Sequence, residues 1–147
     1  MFKRILVPLD DSEGSSRALD FAVQWSRVSG GKLRLVHYID VQAFPNSLGY
    51  GDPVIQSAQR FAKSFLDEKK SQLEKNNVQV ETNLCLAIGK RLGQCISEDA
   101  AAWRADLIVL GSHGRKGIGR VLLGSGAEQI IRESPVPALV IPAKPGP

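Results

Sequence analysis

The sequence predicts an α/β domain, a five-stranded parallel sheet with helices on both faces. Three observations carry this. Short β-branched runs alternate with stretches whose apolar residues recur at helical spacing along the whole chain. One run, "DLIVLG" (residues 106–111), is apolar without alternation, as a strand buried on both faces requires. The two most unusual loops, "DDSEGS" and "GSHGRKGIGRVLLGSG", each follow the carboxyl end of a predicted strand.

The first strand is "KRILVPL" (3–9), which ends at the acidic turn. Ser12 in that turn can cap a helix whose apolar positions include Ala18, Leu19, Ala22, Val23 and Trp25. "KLRLVHYI" (32–39) reads as the second strand. The Gly- and Pro-rich segment after it, residues 40–53, is longer than a typical connection and is a candidate lid. From Pro53 to about Lys75, Ala58, Phe61, Ala62, Phe65 and Leu66 mark one helical face, with Leu73 two turns on. Residues 77–87 form the third strand, and residues 89–105 a helix with Leu92, Ile96 and Ala100 inward. The fourth strand is the apolar run, the next helix covers Ser125–Glu133, and "PALVIPA" (137–143) is the last strand.

At 147 residues and 43% hydrophobic content, the chain suits one well-buried core, so residues 1–147 are expected to form a single domain. No stretch resembles a signal-peptide core or is apolar enough to cross a bilayer, which points to a soluble cytoplasmic protein without a membrane partner. Cys85 and Cys95 read as reduced core thiols, and His37 and His113 belong to no metal-binding spacing. The formal charge of +4 is spread along the chain except at Arg115, Lys116 and Arg120. No aromatic platform accompanies it, which argues against a nucleic-acid partner.

If the strand order is 3-2-1-4-5, the order that the family resemblance given below implies, strands one and four are neighbours where the winding reverses and both unusual loops face one crevice. Six of the fourteen glycines fall within residues 110–131. Glycine there lets a phosphate chain approach main-chain N–H groups, while the dipole of the following helix and the Ser125 hydroxyl add anion contacts. The spacing is neither GxxxxGK[ST] nor GxGxxG. On spacing alone, a flexible turn with a helix cap remains an alternative.

"ILVPLDDSEGS", "LRLVHYID" and "GSHGRKGIGRVLLGSGAEQIIRESPVPALVIP" resemble, in order and spacing, the universal stress protein family over almost the whole chain. Gly111, Gly114, Gly124 and Ser125 match the signature of its ATP-binding branch, G-x2-G-x9-G-[ST]. The resemblance implies a flavodoxin-like, adenine nucleotide alpha hydrolase-like three-layer sandwich and a homodimer built around the last strand, Ala138–Ile141. It also implies ATP or another adenine nucleotide as ligand, with Mg²⁺ held largely by the phosphates. Asp10 would then meet a ribose hydroxyl or the adenine amino group, with Pro8 and Leu9 shaping the wall. Tyr38 occupies the position whose backbone meets the adenine edge, and its ring would stack on the base or crowd it. Leu110 and Gly111 would lie near the ribose. Gly114, Arg115, Gly124, Ser125 and Gly126 would meet the phosphates, while Gly117 and Gly119 act as loop pivots.

Simpler roles stand beside these: Asp10 as a helix cap with Ser12, Tyr38 as a strand-end packing residue, His113 as a loop-positioning residue, Lys116 and Arg120 as solvated charges. The function the sequence favours is a nucleotide-dependent stress-response homodimer with little or no catalysis. The alternative is a weak ATP hydrolase or phosphotransferase using Asp10, Asp11 or His113. A flavin carrier fits the fold, but the glycine spacing favours an adenine nucleotide. Receiver-type phosphorylation is set aside because "NLCLAIG", after the third strand, has no carboxylate.

Overall fold

The computed structural model describes residues 2–44, 51–113 and 123–142. Five strands, β1 (Arg4–Pro8), β2 (Lys32–Asp40), β3 (Val80–Ala87), β4 (Leu107–Gly111) and β5 (Ala138–Ile141), form one sheet in the order β3-β2-β1-β4-β5. Every neighbouring pair is parallel. The helices are α1 (Glu13–Ser29), α2 (Pro53–Lys75), α3 (Leu92–Trp103) and α4 (Ser125–Glu133). The predicted architecture and strand order are therefore the observed ones. Because the chain winds from β1 out to β3 and returns to β4, the ends of β1 and β4 leave a crevice between them.

Local chemistry sets the element ends. The Ser12 hydroxyl accepts the Ser15 N–H at 3.2 Å and starts α1, and Gly30, with φ 69°, ends it in the left-handed conformation. The Asp52 carboxylate accepts the Val54 N–H at 2.8 Å, and Pro53 opens α2. Beyond shifts of one or two residues at other element ends, three features differ from the sequence reading. β3 begins at Val80, because Asn77 takes φ 61° and Val78 donates its N–H back to the Leu73 carbonyl, closing α2. α3 begins at Leu92, because Gly89, at φ 71°, turns the chain out of β3. Val41–Ala43 is a 3₁₀ turn capped by Asp40 inside the stretch expected to be loop. Residues 45–50, and with them most of the expected lid, lie outside the described residues.

Alternation along β1 divides the core. Ile5 and Val7 join Leu33, Leu35 and Val109 on the face covered by α1 and α2, whereas Leu6 joins Val36, Ile108 and Leu110 under α3 and α4. Burying each such side chain contributes about 1.5–3 kcal/mol. Residues 107–110 are all buried, which explains the unbroken apolar run of β4.

Toward the amino ends of the strands, a polar network ties α3 to β2 and β3. Arg34 grips Asp99 through two bonds of 2.8 and 2.9 Å, and the Trp103 indole N–H donates to Glu81 at 2.9 Å. The bond to Asp99 raises the Arg34 pKa. The Trp103 N–H, aided by Lys32 and Arg34, holds the Glu81 carboxyl below its ordinary value. Cys85 and Cys95 are free thiols, and burial followed by hydrogen bonding to Cys95 pushes Cys85 up to about 12. A thiol so shifted is a structural residue at neutral pH. Among the described residues no helix is long and apolar enough to cross a membrane.

Candidate functional site

The cleft at the carboxyl ends of β1 and β4 has a cavity volume of about 150 Å³. It exists because β1 stops at Pro8, opposite Val36, while β2 continues to Asp40 and forms a wall beyond it. The Leu9 N–H donates to the Val36 carbonyl at 2.8 Å, and His37 Nδ1 lies 2.7 Å from the Leu9 carbonyl oxygen. These two contacts fix the direction in which the chain leaves the sheet.

Asp10 follows, with its main chain clasped by Ser15. The Asp10 N–H donates to Ser15 Oγ at 3.2 Å, and the Ser15 hydroxyl donates to the Asp10 carbonyl at 2.8 Å. Asp10 Oδ1 accepts the Ser12 N–H at 2.8 Å. One carboxylate oxygen thus shapes the turn ahead of α1, and Asp10 itself lines the cleft.

Across the cleft, the Tyr38 hydroxyl donates to the Lys90 carbonyl at 2.8 Å, tethering the ring to the loop ahead of α3. Burial, reinforced by the negative charge of Asp40, pushes this phenol up to about 12, so it stays protonated at neutral pH. Lys90 is itself held by Glu98 at 2.8 Å, and that bond raises its pKa.

The glycines of β4 and α4 serve different purposes. A Cβ on Gly111 would stand 2.7 Å from the backbone of Gly14, so its bareness admits the first turn of α1. Gly124 occupies the N-cap of α4, and its N–H donates to the Ser112 carbonyl at 2.8 Å. Ser112 in turn donates its N–H to the Ile141 carbonyl at 2.9 Å. These bonds seat the start of α4 against the ends of β4 and β5. No side chain caps α4, and its first helical bond is Glu128 N–H to the Gly124 carbonyl at 3.0 Å. The N–H groups of Ser125, Gly126 and Ala127 are consequently free of intrahelical partners.

Pro8, Leu9, Asp10, Tyr38, Leu110, Gly111 and Gly126 of the expected site all line the cleft. Gly124 and the exposed Ser125 stand at its margin as the start of α4. Gly114 and Arg115, like Lys116, Gly117, Gly119 and Arg120, lie outside the described residues.

A family model described as the universal stress protein family matches residues 1–142. The chain belongs to the universal stress protein family. Among curated relatives, a universal stress protein of Thermus aquaticus is 29% identical over 142 residues, spanning 96% of this chain and 99% of its own. The solved structure of MJ0577, a universal stress protein of Methanocaldococcus jannaschii, superimposes with a TM-score of 0.87 at 27% identity, covering 99% of both chains. A universal stress protein from Archaeoglobus fulgidus, solved in complex with dAMP, shares the fold at a TM-score of 0.68 and 22% identity, covering 96% of this chain and 98% of that one.

In this universal stress protein the cleft also includes residues that the motif reading missed. Ser12 and Ser15 line it as well as shaping the turn, and His37 and Leu92 complete two of its walls. Ser12 was legible as cap chemistry but not as a wall, and Ser15 was not singled out. His37 carried a weak signal, a polar residue inside a predicted strand, whereas Leu92 carried none, because an inward leucine on a helix looks the same beside a cleft as beside a core.

Proposed function

We propose that the protein binds an adenine nucleotide, ATP foremost, in the cleft between β1 and β4, and acts as a nucleotide-dependent regulatory homodimer with little or no catalysis. The observation that carries this reading is the uncapped first turn of α4. Three backbone donors at the positive end of a helix are left for an acceptor, and two of their residues, Gly126 and Ala127, line the cleft. Asp10 supplies the complementary feature, a carboxylate that would accept from a ribose hydroxyl. The dAMP complex of the Archaeoglobus fulgidus relative is in keeping with this ligand class. Mg²⁺ would be held mainly by phosphate oxygens, which suits its reluctance to shed water for an all-protein cage.

Calorimetric titration of ATP with Mg²⁺ into nucleotide-free protein tests the reading, together with mass spectrometry of any ligand released from purified protein. Wild type is expected to bind. Gly124→Val, which adds a branched side chain at the helix N-cap, is expected to lose at least about tenfold in affinity, the scale of a lost charge-assisted hydrogen bond. Neither copurified nucleotide nor measurable binding in wild type, with the variant indistinguishable from it, would end the proposal.

A further inference from the structure

β3 forms one edge of the sheet, and no strand among the described residues pairs with its outer side. Its eight residues keep an unbroken register with β2 and include neither proline nor lysine, so the devices that usually blunt an exposed edge are missing. The Leu33 N–H donates to the Gln79 carbonyl, which sets the phase of this ladder. Val80, Thr82, Leu84 and Leu86 therefore turn their N–H and C=O groups away from β2, toward the open side.

Beside this edge runs a groove of about 520 Å³, with Arg60, Lys63 and Asp67 on the flank of α2 and Thr82 and Leu84 on the strand. The three charged side chains are exposed and uncompensated. Among the described residues Arg60 bonds only Ser57 Oγ, at 3.1 Å, and Lys63 and Asp67 belong to no ion pair although they stand one helical turn apart. A cation four residues ahead of an anion is the weaker order for a helical pair.

The same positions complement themselves across a two-fold axis. As the crossover between parallel neighbours, α2 runs against β2 and β3, so an antiparallel β3 pair between two copies sets their α2 helices antiparallel too. Phe65 and Leu66 of α2 join the core cluster that holds Leu33 and Leu35 of β2 and Val80 and Leu84 of β3. With α2 lying across both strands, the two helices would stand two strand spacings apart, about 10 Å, which is a helix packing distance. An axis between positions 63 and 64 puts Arg60 of each copy opposite Asp67 of the other, with Lys63 in reach of the same carboxylate. Thr82 and Leu84 then exchange their free main-chain bonds about Asn83.

We infer that this face is a self-association surface, by which two copies of the chain join through β3 and α2. A second copy is the occupant because the groove carries uncompensated charges of both signs, which a purely acidic or basic peptide answers only in part. β3 and β5 lie at opposite edges, so this surface extends the proposed β5 dimer into larger assemblies. It does not depend on the nucleotide.

Val140→Pro, which is expected to open the β5 dimer, isolates the surface. Sedimentation equilibrium of this variant at submillimolar concentration is expected to show reversible dimers that weaken as salt rises. Adding Arg60→Asp or Asp67→Arg should weaken association by about tenfold or more, since symmetry counts each exchange twice and sets like charges face to face. The two together should restore it to within about threefold, a rescue that general surface damage would not give. Thr82→Pro, which deletes an outward donor and no bond to β2, should also abolish it, with thermal melting confirming each fold. A Val140→Pro protein that stays monomeric would leave the groove to another partner and overturn the inference. So would dimers indifferent to the single exchanges, or exchanges whose combination gives no rescue. Dimers already present at micromolar concentration that respond to the exchanges would support this surface and displace β5. Should Val140→Pro not fold, the same substitutions in wild type are read as loss and recovery of species larger than the dimer.

Discussion

Gly14 and Gly111 meet backbone to backbone. A Cβ on Gly111 would stand 2.7 Å from the carbonyl carbon and oxygen of Gly14, a distance that real side chains essentially never show, and a tight 3.1 Å from its Cα. The first glycine of the family signature is thus a packing residue, because it lets the amino end of α1 close over the end of β4. The cleft owes its shape to this approach, since Asp10, Ser12 and Ser15 are carried on the same turn.

Gly111→Ala is accordingly expected to destabilise the fold by about 1–3 kcal/mol, the usual cost of overpacking against atoms that cannot yield. In a chain of this size that lowers Tm by about 2–4 °C per kcal/mol. Gly126→Ala is the contrasting substitution. Among the described residues its Cβ would meet only the Leu92 Cδ2 atom, the far end of a flexible side chain, and alanine favours the helix. It should melt within a few degrees of wild type, about what a change under 1 kcal/mol produces. Thermal or urea unfolding that ranks Gly126→Ala as the more damaging would contradict the packing account.

The network around Trp103 makes stability depend on acid. The Glu81 carboxyl is held below its ordinary value of 4.5 by the Trp103 indole N–H, then by Lys32 and Arg34. A depressed folded-state value means that the stabilisation is present above the unfolded pKa and is lost as pH falls through the folded one. With 46% of its side chain exposed, Glu81 is screened by solvent, so Glu81→Gln is expected to cost less than about 1 kcal/mol at neutral pH. Urea melts of both proteins between neutrality and strong acid check the sign. The gap between them should narrow as pH falls below 4.5, and a gap that widens would show that the carboxylate is not favoured by its neighbours.

The proposed homodimer has a backbone test at β5. The Ile108 N–H donates to the Pro137 carbonyl and the Ser112 N–H to the Ile141 carbonyl, so alternation turns Leu139 toward β4 and leaves the N–H groups of Ala138 and Val140 facing the free edge. Val140→Pro removes an outward donor without breaking a bond to β4, and proline is tolerated on edges for that reason. Sedimentation velocity at micromolar concentration is expected to show a dimer for wild type and a monomer for the variant, with melting confirming the fold. A variant that still dimerises would move the interface away from this edge.

Much of the architecture was legible in the chain alone, because its causes are local. Strand and helix periods, the Ser12 cap and the unbroken apolar β4 each leave a mark within a few residues, and alternating elements leave few ways to wind a parallel sheet. Boundaries were less legible where a residue took an unusual backbone conformation. Asn77 entered the left-handed region to close α2, and nothing in "NNV" distinguishes that from the start of a strand.

By itself, then, the sequence determined the fold class and marked the segments after β1 and β4 as unusual, while the strand order came with the family resemblance. Only the tertiary structure decided what each residue does there. Gly111 is bare because Gly14 presses on it, Asp10 Oδ1 holds the turn ahead of α1 while the residue lines the cleft, and His113 has one ring nitrogen beside Ser112 and one buried without a partner. The physical reason is the same in each case. Close approach and hydrogen-bond satisfaction depend on which distant backbone arrives beside a residue, and a contact between the ends of β1 and β4 writes no periodicity into either segment.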